Sequence, residues 1–389
     1  MTQTELPLDG VLVVDVSRLL PGGVLARQLL DLGARLIKIE EPGTGDPMRM
    51  VPPLVGGVGV GFATLLRGAE SVCLDLTTGE GQAQLRSLAS SADVLIESFR
   101  PGTMAGWGLG YETLAELNPR LVWCSLSSFG RAEAVRDRLA HDLNLIALTG
   151  ALEAMGPKQP RIQLADVGAG MLAASAILAA LLRRARTGRG GRVDQPLITG
   201  SLPFVTWRWA EAAAGREQVV DLLLGGACPC YRTYQCGGCE LMAVSALEPK
   251  FWLGFVSMLG LDDLDGSGFA MGDEADAVVE RIEAVLATHG RDHWLVLAEE
   301  HGLPLSAVHS GGEAGTDPVF ADAGRRGDAG SGAVAPRNRS HPGPSRTRAR
   351  GAHRGGTRRA RRSEVVHEVL QQRLYPSQRF RVCGGTLNQ

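Results

Sequence analysis

The sequence predicts an α/β protein: a large domain built on a doubly wound parallel sheet, with a smaller α+β domain after it. Two observations lead to this prediction. Up to about residue 130, short apolar runs alternate with segments of helical periodicity, the pattern of repeated βαβ units. Beyond residue 222, a second region again alternates strand and helix patterns.

The βαβ units can be assigned in order along the N-terminal third of the chain. The strand patterns are Val11 to Val16, Arg35 to Ile39, Asp93 to Glu97 and Leu121 to Ser127, and the helix patterns are Val24 to Leu32, Gly81 to Ser91 and Tyr111 to Leu117. In such sheets, ligands bind at the carboxyl ends of the strands. The loop over residues 17–23 lacks the G-x-G-x-x-G pattern, so a nicotinamide dinucleotide is not indicated.

Later elements complete the domain organisation. The apolar stretch Met171 to Leu182 predicts a buried helix that ends in basic residues before Gly188. Strands are then predicted over Tyr231 to Tyr234 and Glu240 to Val244, and helices over Pro249 to Leu259 and Ala275 to Thr288. We therefore predict a large domain over residues 1–200, a connecting helix over 201–221 and a small α+β domain over 222–320.

Residues 321–389 have an unusual composition. They hold 15 Lys+Arg against 4 Asp+Glu, in a chain whose formal net charge is −2, and Arg, Gly, Ala, Pro and Ser dominate. Such a segment cannot form a core, so we predict a disordered tail and explain it by a change of reading frame near 321. A tail that binds nucleic acid is the alternative, but 321–362 lacks the aromatic residues usual in such segments.

The remaining composition favours a soluble globular protein. No stretch reaches the roughly 18 uninterrupted apolar residues of a membrane span. The first nine residues lack the basic start and apolar run of a signal peptide. The sequence therefore predicts a cytoplasmic protein that does not associate with a membrane.

Four cysteines cluster within twelve residues. Their spacing raises the possibility of a zinc site, but the five residues between the two pairs are few for a zinc ribbon. Alternating apolar and polar residues on both sides of Gly237-Gly238 favour a β-hairpin instead. We predict a hairpin without metal, with zinc as the alternative. The four are Cys228, Cys230, Cys236 and Cys239.

Two short segments contain residues suited to acid-base chemistry. His141-Asp142 opens an apolar run, and Asp166 precedes Gly168-Ala169-Gly170 and the long apolar helix. Asp166 is predicted to cap that helix, whose first N–H groups could stabilise an oxyanion, while the small residues would let a substrate carbonyl approach. Since an aspartate before a helix is most often only a cap, and such a histidine is most often a surface residue, the pattern alone leaves a structural role open.

An ordered series of motifs resembles the CoA-transferase family III and its racemase relatives. The resemblance covers about residues 7–320 and is specific because many short motifs occur in the same order. The motifs are Leu8 to Arg18, Leu30 to Ala34, Glu41 to Pro47, Leu74-Asp75-Leu76, Ser98 to Gly102, Gly108-Leu109-Gly110, Ala246 to Trp252 and Arg291 to Trp294.

This resemblance implies catalytic roles for three residues. Asp166 matches an aspartate that the transferases use as a nucleophile and the racemases as an acid or base. His141 matches a racemase histidine where transferases usually have an aromatic residue, and Glu248 matches a glutamate near the racemase site. The racemase branch is therefore implied: a racemase or epimerase of 2-methylacyl-CoA thioesters. His141 and Asp166 would exchange the α-proton through an enolate, from opposite faces.

The resemblance also implies a ligand and a partner. Contacts with the coenzyme A moiety are expected from Leu74, Asp75, Leu76, Thr77, Arg100, Asp142 and Asn144. Lys38 and Arg49 are further candidates as phosphate partners, with a solvated surface charge as the alternative for each. No cofactor beyond the coenzyme A of the substrate is expected, and the family architecture implies an interlocked homodimer. Ala140 and Leu145 depart from the racemase pattern, so the range of acyl chains is left open.

Two other functions remain as alternatives. A family III CoA-transferase would use Asp166 as a covalent nucleophile, form an acyl anhydride and need a second acyl acceptor. An inactive remnant with a basic interaction tail would show neither reaction.

Overall fold

The computed structural model describes residues 6–156, 160–215 and 219–319. These residues divide into two compact units, one ending at Val205 and the other beginning at Thr206. The predicted tail, 321–389, lies outside the described residues. Strands of the first unit are β1 (Leu12–Asp15), β2 (Arg35–Glu40), β3 (Leu54–Val55), β4 (Val58–Gly59), β5 (Glu70–Cys73), β6 (Val94–Glu97), β7 (Val122–Ser127) and β8 (Gly191–Pro196).

The helices of the first unit follow most of these strands. They are α1 (Leu19–Asp31), α2 (Val60–Leu65), α3 (Gly79–Ser91), α4 (Thr103–Gly106), α5 (Tyr111–Leu117), α6 (Asp142–Leu148), α7 (Ala151–Ala154) and α8 (Leu164–Thr187). Short 3-10 turns occupy Pro47–Met50 and Leu197–Ser201, and α9 (Leu202–Ala213) runs across the unit boundary.

Six strands form one parallel sheet in the order β5-β2-β1-β6-β7-β8. Alternate residues of β1 pack on opposite faces: Val14 lies in one core with Leu85 and Leu88, and Val13 lies in the other with Leu25. Since the chain adds strands first on one side of β1 and then on the other, the direction of winding switches between β1 and β6. The predicted doubly wound sheet is confirmed, and this switch point is where such folds bind ligands.

The first helix begins five residues earlier than the sequence pattern predicts. It starts at Leu19, and Pro21-Gly22-Gly23, which resemble a loop, form its first turns. Proline is tolerated in the first turn of a helix because its missing N–H would have no partner there. Gly22 is needed because a Cβ there would lie 1.9 Å from Ser17 Oγ. Close contact with the preceding loop therefore explains a sequence that looks like a breaker.

The long helix α8 is buried on one face only. Ala173, Ala174 and Ile177 lie in the core on the sheet, whereas Met171 and Leu182 are 52% and 65% exposed. The prediction of a buried helix is therefore correct for one face of α8 and wrong for the other. Among the described residues, α8 is the one helix long and apolar enough to cross a membrane. Because its small residues pack on the sheet, we interpret it as a core helix.

The second unit is a small α+β fold, as predicted. Its strands form an antiparallel sheet in the order β11-β10-β9, and Tyr234, Met242 and Trp252 contribute to the core beneath it. The strands are β9 (Tyr231–Gln235), β10 (Leu241–Ser245) and β11 (Leu305–Ala307). The helices are α10 (Val219–Leu224), α11 (Pro249–Met258), α12 (Asp273–Leu286), α13 (Arg291–Glu300) and α14 (Gly311–Ala314), with a 3-10 turn at Asp262–Leu264.

The cysteine cluster forms the predicted hairpin. β9 and β10 pair antiparallel, and Cys236 N–H donates to the Glu240 carbonyl at 2.8 Å. Cys228, Cys230 and Cys236 are buried free thiols, while the Cys239 thiol is exposed. Burial raises the pKa of Cys230 to about 11, and it also raises the pKa of Cys228 and Cys236. Neutral thiols inside an apolar core are poor zinc ligands, because zinc binds the thiolate.

We expect the purified protein to contain no stoichiometric zinc. The thiols would have to lose their protons in an apolar environment, and Cys239 lies on the surface apart from that core. Elemental analysis of protein purified without added metal, after dialysis, checks this. One zinc per chain that is lost when Cys236 and Cys239 are both replaced by serine would show that the prediction is wrong.

Candidate active site

The loops after β1 and β6 meet at the switch point of the sheet. Arg18 N–H donates to Ser98 Oγ at 2.8 Å, and the Arg18 guanidinium lies 5.4 Å from the centroid of the Phe99 ring. Arg18 also pairs with Glu41 at 3.1 Å, and it is about half exposed. The exposed Arg100 follows in the same loop. The carboxyl edge of the sheet therefore presents cationic and aromatic groups where a parallel fold binds its ligand.

Carboxylates shape several of these loops by accepting the N–H two residues further on. Asp15 Oδ1 accepts from Ser17 at 2.8 Å, Asp75 Oδ1 from Thr77 at 2.9 Å, and Glu97 Oε2 from Phe99 at 2.8 Å. Such local bonds fix a turn without a glycine. Burial raises the pKa of Glu97 to about 7. In the sequence, these turns are marked by an acidic residue two positions before Ser17, Thr77 or Phe99. This signal was not used, and so the turns were not predicted.

Five of the seven residues expected to contact coenzyme A fall into two groups. The Leu74 and Leu76 side chains lie in the core, so only their backbone could meet a ligand. Asp75, Thr77 and Arg100 are exposed, and Thr77 Oγ1 donates to Asp75 Oδ1 at 2.5 Å. The exposed three lie on the carboxyl side of β5 and β6, where a ligand could reach them.

Lys38 and Arg49 are neither phosphate partners nor surface charges. Lys38 is 2% exposed and its ammonium lies 3.1 Å from Asp15 and 3.4 Å from Asp46. Arg49 is 1% exposed and makes two bonds of 2.6 Å to the carboxylate of Glu40. The expectation of a phosphate contact and the alternative of a solvated surface charge are therefore both wrong for these cations. The spacing of residues in the sequence did not reveal the carboxylates that neutralise them.

His141 stands at the start of α6. Its backbone is extended, with φ −112°, and its N–H donates to Asn144 Oδ1 at 3.1 Å. Asn144 is thus engaged in capping this helix, which competes with the expected ligand contact. The imidazole of His141 is exposed, as acid-base exchange with a bound molecule requires.

Asp142, rather than Asp166, caps the long helix α8. Asp142 Oδ1 accepts the N–H of Ala165 at 2.7 Å and the N–H of Asp166 at 3.0 Å. Asp166 is the third residue of α8, inside its first turn, so its prediction as the N-cap is wrong. The bonds of Asp142 join the starts of α6 and α8, so the residues beside it, His141 and Asp166, are brought to one place.

The Asp166 carboxyl is suited to proton exchange near neutrality. It is half-buried, and burial is the main cause that raises its pKa to about 6. The negative charge of Asp142 raises it further, and the charge of His141 lowers it. His141 is therefore close enough to act electrostatically on Asp166. A carboxyl with a pKa near 6 and an imidazole can each hold or release a proton at neutral pH.

The small residues at 168–170 serve packing within the chain. A Cβ at Gly168 would lie 2.1 Å from the Gly200 carbonyl oxygen, and one at Gly170 would lie 2.8 Å from the Pro21 carbonyl oxygen. Protein backbone therefore occupies the space that was expected for a substrate carbonyl. The glycines instead hold α8, and hence Asp166, tightly against its neighbours.

Glu248 lies in the second unit. It precedes α11, and its carboxylate is exposed.

The first unit brings together the other predicted site residues in two places. At the starts of α6 and α8 lie His141, Asp142, Asn144 and Asp166. At the carboxyl edge of the sheet lie Arg100 and Asp75.

We expect Asp142→Asn to lower the pKa of Asp166. Asparagine retains an oxygen that can accept the N–H of Ala165 and Asp166, but it removes the negative charge that helps to raise this pKa. The carboxyl titration of Asp166, followed by carbon NMR, should shift from about 6 to lower pH. Asp31→Asn, on the surface of α1, is the control. An unchanged Asp166 midpoint in a folded Asp142→Asn variant would contradict the coupling.

Comparison with known proteins identifies chains that are similar to this one. The profile described as CoA-transferase family III matches residues 8–346, which extends past the end of the resemblance at 320. Alpha-methylacyl-CoA racemase from Homo sapiens is 36% identical over 267 residues, 65% of this chain and 65% of the racemase. Succinyl-CoA:glutarate CoA-transferase from Mus musculus is 32% identical over 317 residues, 78% of this chain and 72% of the transferase.

A solved structure is similar in fold. The CAIB/BAIF family protein from Brucella suis has a TM-score of 0.73 and 28% identity, covering 82% of this chain and 89% of that protein. The matched region spans 65% of the length of the human racemase. Racemases and CoA-transferases both resemble the chain, so the comparisons leave the reaction itself to be argued from the site.

Proposed function

Because the chain belongs to CoA-transferase family III, we propose that it is a racemase or epimerase of 2-methylacyl-CoA thioesters. The observation that carries the proposal is the joining of the His141 and Asp166 segments by Asp142, with the pKa of Asp166 raised to about 6. Inversion of a stereocentre by proton exchange needs two groups of this kind on opposite faces of one carbon. A covalent nucleophile needs no histidine beside it.

The proposed reaction moves one proton off the α-carbon and another onto it. Neutral His141 takes the α-proton, and the electron pair of the C–H bond shifts into the enolate of the thioester. Protonated Asp166 then donates its proton to the opposite face, which restores the thioester with inverted configuration. Afterwards His141 loses its proton and Asp166 regains one, so solvent hydrogen enters the product.

The enolate oxygen needs hydrogen-bond donors, and α6 is the better source of them. In α8, the N–H groups of Ala165 and Asp166 already bind Asp142, which counts against the expectation that this helix stabilises the oxyanion. Among the described residues, the N–H groups of Asp142 and Leu143 have no hydrogen-bond acceptor. They lie at the positive end of α6 beside His141, where they could receive developing negative charge.

A CoA-transferase is the second candidate, since a transferase from Mus musculus is 32% identical to this chain. In that reaction the Asp166 carboxylate would attack the thioester carbonyl, expel the coenzyme A thiolate and leave an acyl anhydride on Asp166. Hydroxylamine would capture this acyl group as a hydroxamate. Incubation with a 2-methylacyl-CoA in deuterated water distinguishes the two functions: α-deuterium without hydroxamate supports the racemase, and hydroxamate without α-deuterium supports the transferase.

The homodimer implied by the family is part of the proposal. It is supported by large apolar side chains on the first unit that are exposed in the single chain: Leu139 at 68%, Met171 at 52% and Phe204 at 59%. Sedimentation equilibrium of the purified chain tests it. A mass of about 82 kDa, twice the 41.2 kDa of the chain, is expected.

A further inference from the structure

A buried ionic cluster lies directly beneath the loop that follows β1. Its five members are at most 4% exposed: Asp15, Lys38, Glu40, Asp46 and Arg49. They form a triad, in which Lys38 pairs with Asp15 and Asp46, and a pair, Arg49 with Glu40. The triad and the pair are linked because the Asp46 N–H donates to Glu40 Oε2 at 2.9 Å. Burying five charges is unfavourable unless each is paired and hydrogen-bonded, so a cluster of this size calls for an explanation beyond stability.

The cluster binds three backbone groups of residues 17–19. The Lys38 ammonium donates to the Ser17 carbonyl oxygen, and the Ser17 N–H donates to Asp15. The Leu19 N–H points at both carboxylate oxygens of Asp46, at 3.4 and 3.3 Å. Arg18 is the residue between them, and its N–H is taken by Ser98 Oγ. The buried cluster thus fixes the backbone of this loop, while the Arg18 side chain remains half exposed at the carboxyl edge of the sheet.

The same loop contains an unfavourable backbone conformation. Leu19 has φ +65°, in the left-handed region that a bulky side chain rarely adopts. Only one other described non-glycine residue, Cys239, has a positive φ. Conformations of this kind persist where the surroundings enforce them, and here the surroundings are the carboxylate of Asp46 and the start of α1.

We propose that the loop after β1, residues 17–19, contacts coenzyme A and that Lys38, with Asp15 and Asp46, is a positioning group for this loop. It holds residues 17–19 in one conformation and so fixes Arg18 over Phe99 at the switch point, before any ligand binds. Preorganisation of this kind strengthens binding because the ordering is complete in the free protein. The proposal rests on the proposed function, since it assumes a coenzyme A ligand. Lys38, which was expected to contact the coenzyme A phosphates directly, would instead act by holding residues 17–19.

The test uses two mild variants, because Lys38→Met would leave two carboxylates buried without a cation. Asp46→Asn keeps an oxygen near the Leu19 N–H but weakens the ion pair with Lys38. Asp15→Asn keeps an oxygen that can accept the Ser17 N–H but weakens the other ion pair with Lys38. Each is expected to raise the dissociation constant for coenzyme A, measured by calorimetry, by at least about 5-fold. In the deuterium-exchange assay each should raise KM without a matching fall in kcat.

Glu70→Gln is the matched control, since Glu70 pairs with Arg35 on the surface of the same sheet. It should leave coenzyme A binding unchanged. A merely structural role predicts that folded Asp46→Asn and Asp15→Asn bind coenzyme A as tightly as the wild-type protein, and that result would overturn the proposal. Wild-type protein that binds no coenzyme A would overturn the proposed function and this inference together, so the two failures are distinguishable.

Discussion

Replacing Asp166 with alanine is expected to slow α-deuterium exchange by at least about 10²-fold, the contribution usual for a general acid or base. His141→Ala should cause a loss of similar size, because inversion needs both groups. The rates are measured separately on the two enantiomers of a 2-methylacyl-CoA. If His141→Ala exchanges both enantiomers at the wild-type rate, the two-base assignment is wrong.

Asp166→Asn distinguishes a loss of catalytic activity from a loss of stability. The folded protein binds the Asp166 proton more tightly than the unfolded chain, because burial raises this pKa to about 6 from 3.8. The ionised carboxylate therefore destabilises the fold, and this destabilisation grows as pH rises from about 4 to about 6. Asparagine should stabilise the protein by on the order of 2 kcal/mol at pH 7, with a gain that shrinks as pH falls toward 4.

The second large effect is expected at Gly200. A Cβ there would lie 2.1 Å from the Ala165 carbonyl oxygen and 2.3 Å from the Ala169 amide nitrogen, both in the backbone of α8. Neither atom can move without shifting the helix that carries Asp166. Gly200→Ala should lower the free energy of unfolding by about 3 kcal/mol or more, measured by denaturant titration.

A matched substitution provides the reference for Gly200. Gly79 is the first residue of α3, its φ is not positive, and nothing lies within 4 Å of a Cβ there. Gly79→Ala should be neutral or stabilising by up to about 1 kcal/mol. Equal stabilities of the Gly200→Ala and Gly79→Ala variants would show that the contact between α8 and the turn at Leu197–Ser201 is not tight.

The repeating elements could be predicted from sequence because their signals are local. Tyr111–Leu117 was predicted to the residue, and four of the six strands of the parallel sheet were placed within one residue at each end. A buried parallel strand is a short apolar run between polar loops. The edge strands β5 and β8 were not predicted. The prediction was wrong where a distant contact decides the structure. Pro21-Gly22-Gly23 lies within α1, and position 22 is glycine because the Ser17 side chain leaves no room there for a Cβ.

The candidate site was predicted in its members but not in their contacts. His141 and Asp166 lie at the starts of α6 and α8, which Asp142 joins by its bonds to Ala165 and Asp166. These two residues are 23 and 24 positions from Asp142, and no periodic pattern in the sequence relates positions so far apart. The same limit applies to Lys38, because its carboxylate partners lie 23 residues before it and eight after it. Capping and ion pairing between distant segments depend on the tertiary structure. A single sequence therefore shows the charged and polar residues but not which residues they bind.

His141 and Asp166 are proposed to exchange the proton at the α-carbon of the thioester. The most direct measurement follows one enantiomer of a 2-methylacyl-CoA in deuterated water with the wild-type protein. We expect deuterium at the α-carbon and progressive formation of the other enantiomer, and we expect both to be lost in Asp166→Asn. No α-deuterium, together with an acyl group on Asp166 that hydroxylamine captures, would contradict this proposal.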